Sequence, residues 1–319
     1  MNLLIDQFGS INLLPLYSVL IVVLIERHLR LADKFHPLTF AKLVALRVAY
    51  KVHSKNPGTP LQQMIAGTLA PIVLLSPFML LLAVLIYLSE YPIFFDSLLL
   101  LLALRFTPVM MRIKKVERCL KTNKKTLAKQ HLQTLVLRET AQLSPFGIAK
   151  AAIESLMLRF AAQFCCVIVL YLVGGGLLAL SYRLLFEFSQ CWHTKQGSYA
   201  YFGKPIRLCL ALILWLPARI TALCFIIGQN ISQGLRALTQ GKNLLCSRYF
   251  VLSLQGAALG VELGGPVFYG DNKVRLAKCG GTRPIALEDI NRALNGIKKA
   301  QWVFLTLCFI ACLLLNIGT

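Results

Sequence analysis

The chain has 319 residues, of which 57% are hydrophobic and only 15% are charged, and its mean hydropathy is +0.66. A typical soluble domain has about half apolar and about a quarter charged residues, so this composition excludes an ordinary soluble domain and favours a membrane protein. The net charge of +21 would suit either nucleic acid or a membrane. The long apolar runs favour the lipid bilayer as the partner and argue against nucleic acid.

Six segments are apolar enough to be considered as membrane spans, given that a helix needs about 20 residues to cross the hydrocarbon core. We expect helices, because inside lipid every backbone polar group must be bonded within the protein. The first segment is short and could instead lie at the membrane interface. The predicted spans are residues 11–25, 64–88, 93–111, 155–180, 206–228 and 301–317.

The stretches between these spans alternate in their content of Lys and Arg. Residues 27–63 contain seven, residues 112–154 ten and residues 229–300 ten, whereas residues 181–205 contain three and residues 1–12 and 89–92 contain none. Cytoplasmic loops of membrane proteins carry an excess of Lys and Arg. We therefore predict that the three basic loops are cytoplasmic and that both termini lie outside.

The basic loops differ in character. Residues 112–154 have apolar side chains near helical spacing, which predicts one or two amphipathic helices under the membrane. Residues 229–300 form the longest polar stretch and hold most of the glycines outside the spans, which predicts a compact cytoplasmic cap. No repeat or linker divides the chain. We predict one all-α, polytopic membrane domain over residues 1–319.

Polar residues within predicted spans are expensive to bury in lipid and are candidates for function. Arg159 lies near the start of the fourth span, and Arg219 follows Pro217 in the fifth. Both arginines would lie in the cytoplasmic half, where they could either snorkel to lipid phosphate or bind a ligand. Pro217 can bend its helix and free a backbone carbonyl. Glu154 could pair with Arg159 or with a basic residue of a loop.

The sequence gives no catalytic or metal-binding signature. The five histidines show no H-E-x-x-H pattern, and the ten cysteines include no C-x-x-C pair, so we predict no metal centre. Neither G-x-x-x-x-G-K-[ST] nor G-x-G-x-x-G occurs. No nucleophile has an identifiable base partner, so the catalytic residues stay unassigned.

Several short stretches, taken together and in order, resemble a known family. They are "DKFHPLTFAKLVALR" from Asp33, "RETAQLSPFGIAKAAIESL" from Arg138, "LPARITAL" from Leu216 and "QGAALGVELGGPVFYG" from Gln255, with "FG" at Phe202. Their content and order are similar to CobD/CbiB, the adenosylcobinamide-phosphate synthases of the bacterial inner membrane. The resemblance covers nearly the whole chain.

The resemblance implies a reaction, ligands and a site. The reaction is ATP-dependent amide formation between adenosylcobyric acid, a corrinoid precursor, and aminopropanol or its phosphate, with ATP and magnesium as cofactors. The implied location is the bacterial inner membrane. Glu154 is the retained family acid near the site, and His36, Pro37, Arg159 and Pro217 are secondary candidates. The residues expected to contact phosphate or substrate are Arg138, Arg219, Gly264, Gly265, Pro266, Tyr269 and Gly270.

The chain also departs from the family pattern. Paired aspartates that the family carries shortly before Pro-Ala-Arg are replaced by Leu210 and Ala211, and a family arginine in the glycine stretch is replaced by Glu262. These departures bring the sequence closer to AmpE, a related membrane-protein branch tied to β-lactamase induction. A non-catalytic sensor or regulatory protein of the AmpE type, without cofactors, is therefore the alternative. The oligomeric state stays open.

Overall fold

The computed structural model describes residues 14–28, 36–52, 59–194, 199–240, 245–269 and 272–317. This part of the chain is mainly helical, as predicted. The helices are α1 Leu14–His28, α2 Pro37–Val52, α3 Pro60–Tyr87, α4 Pro92–Ala103, α5 Thr107–Lys121, α6 Lys125–Gln133, α7 Pro145–Phe160, α8 Cys166–Cys191, α9 Lys204–Ile213, α10 Trp215–Ile227, α11 Ile231–Gln240, α12 Ser247–Leu259 and α13 Asp289–Ile317. A π-helical turn, Ala161–Cys165, joins α7 to α8.

Prolines define where many of these helices begin. Several helices carry proline in the first turn, where the missing N–H would have no intrahelical partner and the fixed φ suits a helix. Thr59 adds a capping box in front of α3: Gln62 N–H donates to its hydroxyl at 3.4 Å, and its own N–H donates to the Gln62 side chain at 3.0 Å. First-turn prolines include Pro37, Pro60, Pro92, Pro108, Pro145 and Pro205.

Four helical stretches among the described residues are long and apolar enough to cross a membrane: Pro60–Tyr87, Pro92–Lys121, Pro145–Cys191 and Asp289–Leu314. Helices α9 and α10 are bent by 51° to each other, as in a broken fifth span or a re-entrant loop. Helix α1 has 15 residues, fewer than a span needs, and the predicted start of that span at Ile11 lies outside the described residues. The predicted count of six spans is therefore not confirmed.

The helical stretch from Pro145 to Cys191 is not straight but folds back on itself. The hydroxyl of Tyr182 donates to the carbonyl of Ala162 at 2.9 Å, although residues 20 apart in one straight helix would be about 30 Å apart. The reversal falls at Gly174 and Gly175, which have non-helical backbone angles, and Gly175 has a φ of +73°. Asp96 of α4 accepts the N–H of Gly176 at 2.7 Å and so caps the returning arm. The predicted span 155–180 thus contains a turn.

This reversal conflicts with the prediction that residues 181–205 and 229–300 lie on opposite sides of the membrane. Residues 181–205 were expected outside the membrane, yet the ring of His193 stacks on Tyr269 with 6.0 Å between ring centroids. Tyr269 belongs to residues 229–300, which were predicted to be cytoplasmic, and the two rings must lie on the same side. The charge alternation counted residues 155–180 as one span, whereas the chain turns back at Gly174–Gly175 within it. Residues 1–13 and 318–319 lie outside the described residues, so both termini outside stays a prediction.

The predicted cytoplasmic cap contains a β-hairpin that the sequence analysis did not anticipate. Strand β1 Glu262–Tyr269 pairs antiparallel with β2 Asn272–Gly280, and a bulge interrupts the register between Leu263 and Gly265. The hairpin packs on α12 and touches α7. The glycine-rich stretch is therefore a strand rather than an irregular loop.

An aromatic cluster holds the centre of the molecule together. Phe160 of α7 and Phe164 of the π-helical turn stack with their centroids 5.5 Å apart, and Phe106 and Phe304 pack around them. All four side chains are fully buried. The surface of α3, in contrast, is apolar and largely exposed, as expected of a helix that faces lipid.

Candidate functional site

Glu154 is at the centre of a buried polar cluster beneath the hairpin. Its Oε1 accepts the N–H of Gly264 at 2.8 Å, and its Oε2 lies 3.2 Å from Nη2 of Arg138. The glutamate is on α7, the arginine lies in the loop before that helix, and the glycine is in β1. Glu154 therefore pairs with the loop residue and not with Arg159.

The ion pair lies largely out of water. The side chains of Arg138 and Glu154 are 11% and 3% exposed. Burial lowers the pKa of Arg138 from its ordinary value, while the negative charge of Glu154 and the nearby Tyr269 oppose that shift. Because an uncompensated charge here would be costly, each partner depends on the other.

The backbone of the glycine stretch requires glycine at two positions. Gly264 and Gly265 have φ values of +79° and +92°. A Cβ on Gly264 would overlap the carbonyl oxygen of Ala277, whereas a Cβ on Gly265 would meet only the ammonium of Lys150, at 3.8 Å. The hairpin thus leaves no room for a side chain at Gly264, whereas there is space beside Gly265 in the direction of Lys150.

The other predicted residues of this stretch have different surroundings. Pro266 is exposed and pairs with Arg275 across the hairpin, and Tyr269 stacks on His193. Gly270, also predicted to bind substrate or phosphate, lies outside the described residues. Direct phosphate contact by this stretch stays a prediction.

Glu262 does not leave an isolated negative charge at the edge of the hairpin. Its carboxylate lies 3.0 Å from the ammonium of Lys278 and 3.9 Å from that of Lys150. The residue that replaces the family arginine is therefore balanced by two lysines. The net charge of this trio stays positive.

Arg219 lies against aromatic rings. Its guanidinium is 3.9 Å from the ring centroid of Trp215 and 5.1 Å from that of Phe250, and its Nη1 donates to the Trp215 carbonyl at 2.8 Å. Pro217 is buried in the same helix, and the 51° bend falls at Ile213–Leu214, where the proline ring conflicts with the carbonyl four residues earlier. A role of Arg219 in phosphate binding stays a prediction.

His36 and Pro37 begin helix α2. The Nδ1 atom of the buried His36 accepts the N–H of Leu38 at 3.2 Å, and Pro37 is the first helical residue. Both residues define the start of a helix that contributes Lys42 to the cavity described next.

Arg159 belongs to a second polar cluster, one helical turn beyond Glu154. Its Nε and Nη2 donate to the carbonyl of Leu135 at 3.2 and 2.7 Å. With its amide oxygen turned toward the cations, Gln163 accepts from Nη1 of Arg159 at 2.7 Å and from Nη1 of Arg183 at 3.2 Å. The two guanidiniums thus share one neutral acceptor.

These residues line a cavity of about 420 Å³. Its walls come from α2, α5, α7, α8 and the segment 133–137, which crosses between α6 and α7. Glu187 is the only carboxylate among the described residues that line it, and it lies 2.8 Å from Nη2 of Arg183. The cationic side chains at the cavity are Lys42, Arg105, Arg112, Arg159 and Arg183.

Of the cations in this cavity, only Arg159 was predicted from the sequence as a site residue. Arg105 was a usable signal, because it falls inside the predicted span 93–111, where a charge is expensive. Arg183 gave no such signal, because it was assigned to an outer loop.

The carboxylates of the two clusters do not fit a magnesium ion held by the protein. Glu154 is engaged by Arg138 and Gly264, and Glu187 by Arg183. Within the described ranges, no three His, Cys, Asp or Glu side chains lie close enough together to hold a metal ion. Both clusters instead present cations and N–H donors, which suit phosphate oxygens.

The fold and these clusters define a class: a helical, multi-pass membrane protein with a buried ion pair under a β-hairpin and a cationic cavity beside it. The model of the CobD/CbiB protein family matches residues 19–297, and the chain belongs to that family. It is 30% identical to the cobalamin biosynthesis protein CobD of Chromobacterium violaceum over 304 residues, which cover 93% of this chain and 96% of the relative.

Other relatives align over a shorter stretch. The cobalamin biosynthesis protein CbiB of Salmonella typhimurium is 28% identical over 205 residues, 61% of this chain and 62% of the relative. The cobalamin biosynthesis protein CobD of Streptococcus sanguinis is 27% identical over 195 residues, 57% of this chain and 60% of the relative. No solved structure matches this chain.

Proposed function

We propose that this protein acts in cobalamin biosynthesis, at the step that joins adenosylcobyric acid to aminopropanol or its phosphate at the bacterial inner membrane. The observation that carries the proposal is the convergence at Glu154. Two stretches that carry the family resemblance meet there: one begins with Arg138 and contains Glu154, and the other contains Gly264, 110 positions after Glu154.

The residues of this site suit the binding of phosphate oxygens during amide formation. Amide formation from a carboxylate needs the carboxylate to be activated, and ATP supplies the energy when the reaction runs. The chain offers positive charge and backbone N–H groups to offset the charge of phosphate oxygens. Arg138 pairs with the carboxylate that holds Gly264, and Lys150 lies near Gly265; these two cations are the groups that would orient such a ligand.

Complementation tests this function. A bacterial strain that lacks its own synthase and needs cobalamin should grow on cobyric acid when it carries this gene. The Glu154→Gln variant should fail to support growth, and the Arg118→Gln variant, in which an exposed arginine of α5 is replaced, should support it. Absence of growth with the wild-type protein present in the membrane would contradict the proposal.

The second candidate is a non-catalytic AmpE-like regulatory protein, and one observation favours it. The position of one family aspartate is taken by Leu210, whose side chain is packed in the core at 8% exposure, and the next position is Ala211. The apolar replacement is thus part of the packing of α9. Restored β-lactamase induction in a strain that lacks AmpE, without cobalamin complementation, would favour this candidate.

A further inference from the structure

We propose that the cationic cavity between α2, α5, α7 and α8 is a binding site for a phosphate monoester. The phosphate of aminopropanol, named in the proposed function, is itself a phosphate monoester; what is new is the site, which the glycine stretch does not form. The proposal also does not depend on the pathway: phosphate could bind here whether or not the protein supports cobalamin synthesis.

The charge balance of the cavity is the first argument. Five cations line it against one carboxylate, that of Glu187. They come from separate elements, so folding brings them together: Lys42 from α2, Arg112 from α5, Arg159 from α7 and Arg183 from α8, with Arg105 between α4 and α5. Like charges gathered in one cavity repel each other, and a dianion would relieve that cost.

The second argument is a buried donor that the protein itself does not use. Arg183 is only 2% exposed, and its Nε has no hydrogen-bond partner among the described residues. Its two other nitrogens are held by Glu187 and Gln163. The guanidinium is therefore fixed in orientation, and its Nε–H is left without a partner within the described residues. A buried donor without a partner is rare enough to require an explanation.

The arrangement is also fixed before any ligand binds. Leu135 accepts from Arg159 and also from the hydroxyl of Ser155, at 3.3 Å. The segment that crosses the cavity is thus tied to α7 at two side chains. Ordered guanidiniums bind phosphate with little loss of side-chain entropy, and their paired N–H groups match phosphate oxygens.

The size of the cavity sets the size of the ligand. A volume of about 420 Å³ falls in the lower part of the range for small-molecule pockets. Phosphate monoesters carry a charge of about −1.5 to −2 near pH 7, which suits an excess of several cations. Two sources share this chemistry: a soluble phosphate ester, and a lipid with a phosphate monoester headgroup, such as phosphatidate.

Binding of inorganic phosphate to the full-length protein tests the proposal. The protein is placed in nanodiscs of phosphatidylcholine, and its thermal midpoint is followed as sodium phosphate replaces sodium chloride at constant ionic strength. A ligand that binds only the folded state raises the midpoint in a saturable manner. We expect saturable stabilisation by phosphate and none by chloride.

Two variants and a matched control locate the site. Arg112→Gln removes a half-buried cation of the cavity, and Arg183→Lys keeps the charge but removes the Nε donor; each should weaken phosphate binding about tenfold. Arg118→Gln removes an exposed arginine of the same helix, α5, and should leave binding unchanged. The midpoint without phosphate shows that each variant is folded. Equal weakening by Arg118→Gln, or stabilisation by chloride as strong as that by phosphate, would overturn the proposal.

A competition experiment separates the two sources. Phosphatidate is added to the nanodisc, and the effect of added phosphate on the thermal midpoint is measured again. The wild type and Arg118→Gln have the same cavity, so phosphatidate should act alike on both. Loss of the phosphate effect in the wild type but not in Arg118→Gln would overturn the proposal. If phosphatidate removes the effect in both, the ligand is the lipid headgroup; if in neither, it is a soluble phosphate ester. Both of the latter results support a phosphate-monoester site. Failure of complementation with intact phosphate binding would sink only the proposed function.

Discussion

Glu154 accepts the backbone N–H of Gly264 at 2.8 Å and thereby ties helix α7 to the β-hairpin. The same carboxylate neutralises Arg138, so one side chain fixes both the strand and the loop before α7. The hairpin bulge sits at this contact, between Leu263 and Gly265. The polar cluster and the irregular backbone are parts of one arrangement.

The Glu154→Gln variant should be destabilised mainly through Arg138. The amide oxygen can still accept from Gly264, but the buried guanidinium loses its counter-charge, which costs about 3 kcal/mol where a buried pair is broken from one side. Thermal unfolding in detergent measures the loss. Adding Arg138→Gln to Glu154→Gln should recover part of it, because no unpaired charge is then left. Strictly additive losses would show that the two side chains do not depend on each other.

The two glycines of the bulge should respond differently to alanine. Both have positive φ, so each substitution carries a backbone cost of about 1–2 kcal/mol. Only Gly264→Ala also forces a methyl group into the carbonyl of Ala277, which should add about 1–3 kcal/mol. The thermal midpoint of Gly264→Ala should therefore fall well below that of Gly265→Ala. Equal midpoints would mean that the hairpin shifts to accommodate the methyl group.

The sequence predicted the membrane class and the helical fold because both follow from the length and composition of single apolar segments, without knowledge of which segments pack together. It could not predict the turn at Gly174–Gly175, because an apolar run with glycines reads as one continuous span. The strand pairing of Glu262–Tyr269 was hidden for a similar reason: glycine and proline in this stretch suit a loop equally well.

The cationic cavity was beyond the sequence for a different physical reason. Its five cations lie in four helices and one connection, and each alone is explained as an insertion signal or as a side chain that snorkels to lipid. Only the reversal of the chain brings Arg183 beside Arg159. Glu154, in contrast, could be found, because an acid at the entry to a span is rare and needs a partner.

Cys279 should make stability fall at alkaline pH. Burial, helped by the charge of Glu154, raises the pKa of this thiol from an ordinary value of 9.0 to about 11. The folded state therefore holds the proton more tightly than the unfolded state. This contribution to stability is complete below pH 9.0 and is lost as the pH rises toward about 11. Between these pH values, the thermal midpoint of the wild type should fall more steeply than that of Cys279→Ala; parallel profiles would contradict the shift.

The reversal at Gly174–Gly175 predicts which side of the membrane each connection faces. Tyr201 lies just after the segment that carries His193, and Arg275 lies in β2; both are exposed and belong to the side that bears the hairpin. Glu90 is exposed at the opposite end, between α3 and α4.

A membrane-impermeant maleimide can test this assignment in a background with the exposed Cys209 and Cys246 replaced by serine. Glu90→Cys should react in intact spheroplasts, because the α3–α4 connection is predicted to face outward. Tyr201→Cys and Arg275→Cys should react only after the membrane is permeabilised, because stacking of His193 on Tyr269 places both segments on one side, which the basic loops predict to be cytoplasmic. Reaction of Tyr201→Cys in intact spheroplasts, with Arg275→Cys still protected, would contradict the chain reversal and restore the outer placement of residues 181–205.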